Sequence, residues 1–455
     1  MSGKNFRSGV RLAAVMAAVA TICGPTAGQA AAAPPDPAEQ RTTCAVPVWN
    51  GPPLSGPPKP QKALDLSAAW LFSRGAGQKV AVIDTGVTPN PRLPGLIPGG
   101  DFVSTSDGTV DCDGHGTLVA GVVAGLPSPA DGFSGVAPDA RVIAIRQYSL
   151  AYQAKNSAGQ PPPGQMVPNG YGDVRTLASA VRRAVTLGAT VIDIPGFACG
   201  ASTAALDDES LGEAVKFAFD HNVVVVTAAG DVRSDGACQA QNDADASSVV
   251  RTVVSPARFA PYVLPVASVD ASGGPSAFSF HGPWVGVAAP GVDIVSLNSA
   301  PGGPELANGV PGQQGIAPID GTAFASGYVA GLAALVRSAF PDLTAGQVID
   351  RIIATAHAPG TGRDNAVGAG MIDPLAALSA ELPSAAASGS MDLTRAVAPP
   401  PAAPSIDPWP RLLAVAGSGI ALLLLVITLV ASAPYRSARA RPSARDADDV
   451  DLLEA

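Results

Sequence analysis

The chain has 455 residues, of which 47% are hydrophobic, 14% charged and 5% aromatic, and its net charge is −9. That acidic balance, with no basic aromatic stripe, excludes a nucleic-acid binder. Its 50 glycines and 44 prolines follow no period, which excludes a collagen-like repeat and predicts loops and tails.

In chain order, residues 1–33 read as a secretory signal peptide. Lys4, Arg7 and Arg11 lead into the apolar run LAAVMAAVATI, and the small residues AGQAAAAPP place cleavage near Ala30 to Ala33. Cys23 follows Ile22 rather than a small residue, so no lipid anchor is expected. Residues 34–61 form a Pro-rich N-terminal extension without periodicity that holds Cys44.

From 62 to 382 short Val/Ile-rich runs alternate with helical stretches. KVAVID (79–84), ARVIAIRQY (140–148), TVIDIPG (190–196), VVVVTAAG (223–230) and VLPVASV (263–269) are unbroken apolar strands, the pattern of a parallel sheet covered on both faces. Helices are predicted over 115–126, 173–189 and 206–222, and then around 321–340, 343–356 and 373–380. The alternation predicts one large α/β domain with a doubly wound, mostly parallel sheet. Residues 149–170, containing QPPPG, read as a long loop insertion.

The remainder reads as an anchor. Residues 383–411 are a Pro/Ala-rich, extended linker. Residues 412–433, LLAVAGSGIALLLLVITLVASA, are uncharged and long enough to span a bilayer as a helix. Arg436, Arg439, Arg441 and Arg445 follow, so the tail 434–455 is expected in the cytoplasm and the domain outside the membrane.

With Cys23 removed alongside the signal, Cys44, Cys112, Cys199 and Cys238 remain. An even count in an exported chain predicts two disulfides, in one of three connectivities. No Cys-x-x-Cys pair is present, so no zinc is expected, nor any other metal or cofactor. The acidic runs at 206–209 and 242–245 read as solvated faces rather than calcium loops.

Three short motifs carry the chemistry. AVIDTGV (81–87) puts Asp84 at the carboxyl end of a buried strand, the edge where open α/β sheets build their sites. DGHGTLVAG (113–121) starts a helix at His115 between glycines that allow close backbone approach. PIDGTAFASGYVAG (318–331) opens a long, small-residue helix with Ala323 near its start.

VIDTGV, DGHGT and GTAFAS together closely resemble the three signature blocks of subtilisin-like serine proteases, over about residues 62–380. The APGVDI run (289–294) looks like the family's strand ahead of the nucleophile. The resemblance makes Asp84 the orienting acid and His115 the general base, and it puts Ala323 at the position of the nucleophilic serine. Within the family the chain is most similar to the mycosins, the membrane-tethered subtilases of type VII secretion systems. It shares with them the leader, the Pro-rich extension with its cysteine, the FHGPWVGVAAPG run (280–291), the linker and the terminal membrane helix. That resemblance implies the pairs Cys44–Cys112 and Cys199–Cys238.

Four positions depart from the family pattern. Ala323 has a methyl where the family has a hydroxyl, and Ser326, one helical turn on, matches an ordinary small residue of the motif. Asp231 stands where the family usually has an Asn that donates to the developing oxyanion; an ionised carboxylate accepts instead, and it repels negative charge. VIDIPG (191–196), with Pro195, replaces the usual polar VIN-x-S strand. Gly327 replaces the usual Pro. The resemblance therefore implies a catalytically inactive pseudoprotease with a structural role among the membrane components of a type VII secretion complex. Two other functions fit the same residues: an active serine endopeptidase trimming secreted proteins, with Ala323 an engineered replacement, and a module that binds peptides in the cleft.

Overall fold

Seven strands form the central sheet: β1 (Lys79–Asp84), β2 (Ile97–Asp101), β3 (Arg141–Arg146), β4 (Val191–Ile194), β5 (Val224–Ala228), β6 (Leu264–Val269) and β7 (Val287–Pro290). Their order is β2-β3-β1-β4-β5-β6-β7, and every neighbouring pair is parallel. The computed structural model describes residues 37–155, 164–166, 170–233, 236–245, 249–300, 305–312, 315–360 and 362–382. Strands are added first on one side of β1 and then on the other, so the carboxyl end of β1 is the topological switch point.

Six helices flank the sheet: α1 (His115–Ala124), α2 (Val174–Thr186), α3 (Glu209–Asp220), α4 (Thr322–Ala339), α5 (Ala345–Ala354) and α6 (Pro374–Ser379). Alternate residues of each strand face opposite layers. Val80, Val82, Val142, Val224 and Val226 pack with Leu118, Val122, Tyr328 and Leu332 of α1 and α4. Ala81, Ile83, Ile143, Ile192 and Val225 pack with Leu177, Val181, Leu211 and Val215 of α2 and α3. Burying each such aliphatic side chain is worth about 1.5–3 kcal/mol. Local signals set the helix starts: Asp173 and Thr176 form a capping box on α2, and Thr344 and Gln347 form another on α5.

The predicted strands and helices are present with ends shifted by a few residues. Strand β2 was not expected from the sequence, because LIPGGD reads as a turn. As an edge strand it tolerates Pro98, and a side chain at Gly99 would come 2.5 Å from Ile145. Strand β7 covers Val287–Pro290, earlier than the APGVDI run, whose later residues turn through Asp293 at φ 54°. The 149–170 insertion contains a short strand, Tyr152–Ala154, which pairs antiparallel with Ala38–Gln40 of the N-terminal extension. Of the acidic runs, Asp208 is buried and pairs with Arg258 at 3.0 Å, so 206–209 is not a wholly solvated face.

From Pro37 onward the extension is tied along the domain. Ala45 N–H donates to the Cys112 carbonyl, Asn298 donates to the Pro47 carbonyl, and Asn50 and Asn308 exchange two hydrogen bonds. Cys44 and Cys112 are bonded at 2.05 Å and Cys199 and Cys238 at 2.07 Å. The expected signal peptide, linker, membrane span and tail lie outside the described residues. Among the described residues no helix is long and apolar enough to cross a membrane.

Candidate active site

Asp84 ends β1 at the switch point, with no exposed surface. Its two carboxylate oxygens each lie 2.9 Å from Nδ1 of His115, the first residue of α1. Both oxygens of this one carboxylate lie against Nδ1, which fixes the proton there and leaves Nε2 as the acceptor. His115 reaches this position because α1 begins hard against the β1 turn. A side chain at Gly116 would collide with the Gly86 carbonyl. The imidazole side chain keeps 28% exposure, so one edge is open to the cleft, and its ring lies 5.1 Å from that of Phe324. Burial works to lower its pKa, but the charge and hydrogen bond of Asp84, with Asp111 and Asp113 behind it, raise it above the ordinary 6.5 overall.

The residues before His115 hold its helix in place. Asp111 accepts from Thr85 Oγ1, Gly114 N–H, Thr117 N–H and Thr117 Oγ1, all within 2.8 Å. Asp113 accepts from Ser149 Oγ and the Leu150 and Ala151 amides, which ties the insertion to the same loop. Tyr148 places its hydroxyl 3.3 Å from His115 Nδ1; burial, with the nearby Asp84 charge, pushes its pKa well above 10.

Across the cleft, Ala323 is the second residue of α4 and lines the same pocket as His115, Asp231 and Gly196. Its methyl offers nothing to Nε2. Ser326 is fully buried and donates to the Ala323 carbonyl at 2.8 Å, so its hydroxyl is committed within the helix. Asp231 Oδ1 accepts from both the backbone N–H and the Oγ1 of Thr322, at 3.0 and 2.8 Å. The carboxylate thereby caps α4 from another loop, at the helix end that favours negative charge. Burial raises its pKa against the opposing pull of Thr322, Arg233 and His115. A small side chain at Gly327 would sit at ordinary contact distance from Val119 and Val122 of α1, so this position does not require glycine.

Pro195 and Gly196 form the wall beyond β4. Beneath them, in the middle of that strand, lies Asp193. It is fully buried, and neither carboxylate oxygen has a hydrogen-bond partner among the described residues. Burial drives its pKa well above the ordinary carboxylate range and the Asp84 charge adds to the rise, while Ser326 and His115 oppose it without cancelling it.

The structure thus gathers Asp84, His115, Ala323 and Asp231 in one cleft, with both disulfides bordering its loops. Sequence reasoning missed Asp111, Asp113, Tyr148, Asp193 and Arg233. The available signals were the two aspartates immediately before Gly-His-Gly and a lone acid inside an apolar strand. Among the described residues no group of His, Cys, Asp and Glu is arranged to hold a metal.

The chain is similar to known proteins over most of its length. The Subtilase family model matches residues 75–370. The chain is 43% identical to Mycosin-3 of Mycobacterium tuberculosis over 438 residues, covering 91% of this chain and 94% of that protein. It is 45% identical to Mycosin-1 of Mycolicibacterium smegmatis over 389 residues, covering 82% and 86%. A structure of the MycP3 protease from the type VII (ESX-3) secretion system is similar with a TM-score of 0.72 at 45% identity, covering 77% of this chain and 96% of that one. A chain of an intact ESX-5 inner membrane complex is similar with a TM-score of 0.73 at 40% identity, covering 89% and 96%.

Two titrations test this electrostatic arrangement. The His115 imidazole resonance is expected to titrate above 6.5, and Asp84→Asn to lower its midpoint. The His115 contribution to stability is therefore full below 6.5 and fades as pH rises through the higher folded value. Asp193 acts in the same direction, because the folded domain binds its proton more tightly than the unfolded chain, and stability falls as pH rises above 3.8. Asp193→Asn should raise Tm at neutral pH and flatten its decline with pH. Unchanged thermal denaturation across that range would refute the assignment.

Proposed function

The chain belongs to the subtilase family as a homologue of the mycosins of type VII secretion, and from that premise we propose that it is a catalytically inactive subtilase serving as a structural component of a type VII secretion membrane complex. The carrying observation is that no hydroxyl stands at the nucleophile position: Ala323 faces the cleft, and Ser326 is bonded to the Ala323 carbonyl. Removing the serine of subtilisin costs about 10⁶ in kcat, which leaves no useful peptidase.

Asp231 is a second lesion. Its Oδ1 is committed to the start of α4 as an acceptor, and a negative charge beside a developing oxyanion opposes the reaction. An amide at 231 would keep the cap through its carbonyl and present a donor through its nitrogen.

The partners in this reading are membrane components of a type VII secretion complex, since a chain of the ESX-5 inner membrane complex is among the similar structures. The domain stands outside the cytoplasm on the anchor 412–433, and the tail 434–455 lies in the cytoplasm. With the cleft inactive, the surface, the extension and the anchor carry the function. The preserved Asp84–His115 pair favours a second reading, in which a serine at 323 completes an endopeptidase acting on secreted proteins and Ala323 is a replacement. The sequence of the natural gene at codon 323 decides between them.

A fluorophosphonate probe, which needs an activated serine, should not label the protein. Ala323→Ser alone should label weakly, and Ala323→Ser with Asp231→Asn about 10²–10³ times faster. Equal rates for the single and double variants would remove Asp231 from the account. Deleting 411–455 should release the domain from membranes and reduce its co-purification with secretion-complex proteins. Undiminished co-purification would count against the anchored scaffold.

A further inference from the structure

The cleft wall beyond β4 is closed by side chains from two loops that the mechanism does not use. Phe197 is buried at 2% exposure, two residues after Pro195. The Arg233 guanidinium lies over its ring, 4.4 Å from the centroid. Arg233 Nη1 reaches the Met166 carbonyl at 3.5 Å, and Met166 itself sits against the wall, since a side chain at Gly196 would come 2.6 Å from its terminal methyl. All of these residues line the same pocket as His115 and Ala323.

The two arms of this contact are held together covalently. Cys199 follows Phe197 by two residues, the Arg233 N–H donates to the Cys238 carbonyl at 2.8 Å, and Cys199 and Cys238 form a disulfide. The disulfide and this hydrogen bond tie the two arms to each other, while the guanidinium makes no ion pair within 4 Å among the described residues, has one long hydrogen bond, and acts on the buried Asp231 only through its charge. A contact of a guanidinium with an aromatic face is worth about 0.5–2 kcal/mol, little enough for the side chain to leave.

We propose that Arg233 is a gate on the cleft: stacked on Phe197, it closes the wall along which an extended peptide would lie, and a peptide segment enters only when the guanidinium swings off the ring. The disulfide keeps the gate and its seat in register, so opening needs a side-chain movement and no rearrangement of the loops. Access to the cleft is in this way set by the chain's own side chains, independently of whether position 323 can react.

The test is a thiol at the floor of the cleft in the full-length protein, Ala323→Cys. Its alkylation is timed with a bulky neutral reagent, N-(1-pyrenyl)maleimide, and with a small one, iodoacetamide. The same thiolate attacks both reagents, adding to the maleimide double bond or displacing iodide, so the ratio of their rates, set against the ratio for a free cysteine peptide, reports access rather than thiol pKa. With Arg233 in place the ratio should fall well below that of the peptide. Arg233→Ala and Phe197→Ala should each raise it about threefold to tenfold, the range a contact of this kind sets. A peptide-like ratio with Arg233 present, or a ratio that neither substitution moves, overturns the proposal. These outcomes do not depend on the scaffold reading, whose own test is co-purification.

Discussion

The structure depends on a helix that starts inside the protein. Every residue of α4 from Thr322 to Val336 is buried, so the unpaired N–H groups of its first turn have no water to turn to. The Asp231 carboxylate answers this need by accepting from both the backbone and the side chain of Thr322. A charge at a partly buried helix end contributes up to about 2 kcal/mol. At Gly331 a side chain would come 3.2 Å from the Val123 carbonyl of α1, so glycine there lets α1 approach, and α1 carries His115 to the cleft.

That arrangement sets helix stability against catalysis. The position of Asp231 usually carries an Asn that donates to the oxyanion in the subtilases this chain resembles, whereas here a carboxylate oxygen serves the helix as an acceptor. The position of Ala323 must carry a hydroxyl, and here it carries a methyl in contact with the same first turn. Both changes leave the fold intact and take away the reacting groups. Asp84 and His115 keep their contact because it also joins the end of β1 to the start of α1 and is reinforced from below by Asp111.

Much of this was legible before any coordinates. Short buried strands of Val and Ile, Gly-flanked His115 and the small-residue run from Gly321 are local patterns, and each was read in place. Strand β2 was not, because Pro98, Gly99 and Gly100 carry turn chemistry that only an edge position and a close neighbour at Ile145 override. Asp111 and Asp113 carry no local mark of the acceptor networks they form with Thr85, Thr117 and Ser149. Asp193 lies in a run that reads as an unbroken apolar strand, and nothing local distinguishes an acid facing solvent from one sealed under α4.

By itself the sequence determined five of the seven central strands in their order, the family resemblance and the absence of a hydroxyl at 323, since these follow from residue identity and spacing along the chain. Tertiary structure decided what Asp231, Ser326, Asp193 and Arg233 do. Thr322 for Asp231, the underside of α4 for Asp193 and Phe197 for Arg233 come from packing, while Ser326 turns back on the Ala323 carbonyl of its own helix. Burial and hydrogen-bond direction are set only when separate segments meet, so a side chain's identity states which bonds it is able to make but not which it makes.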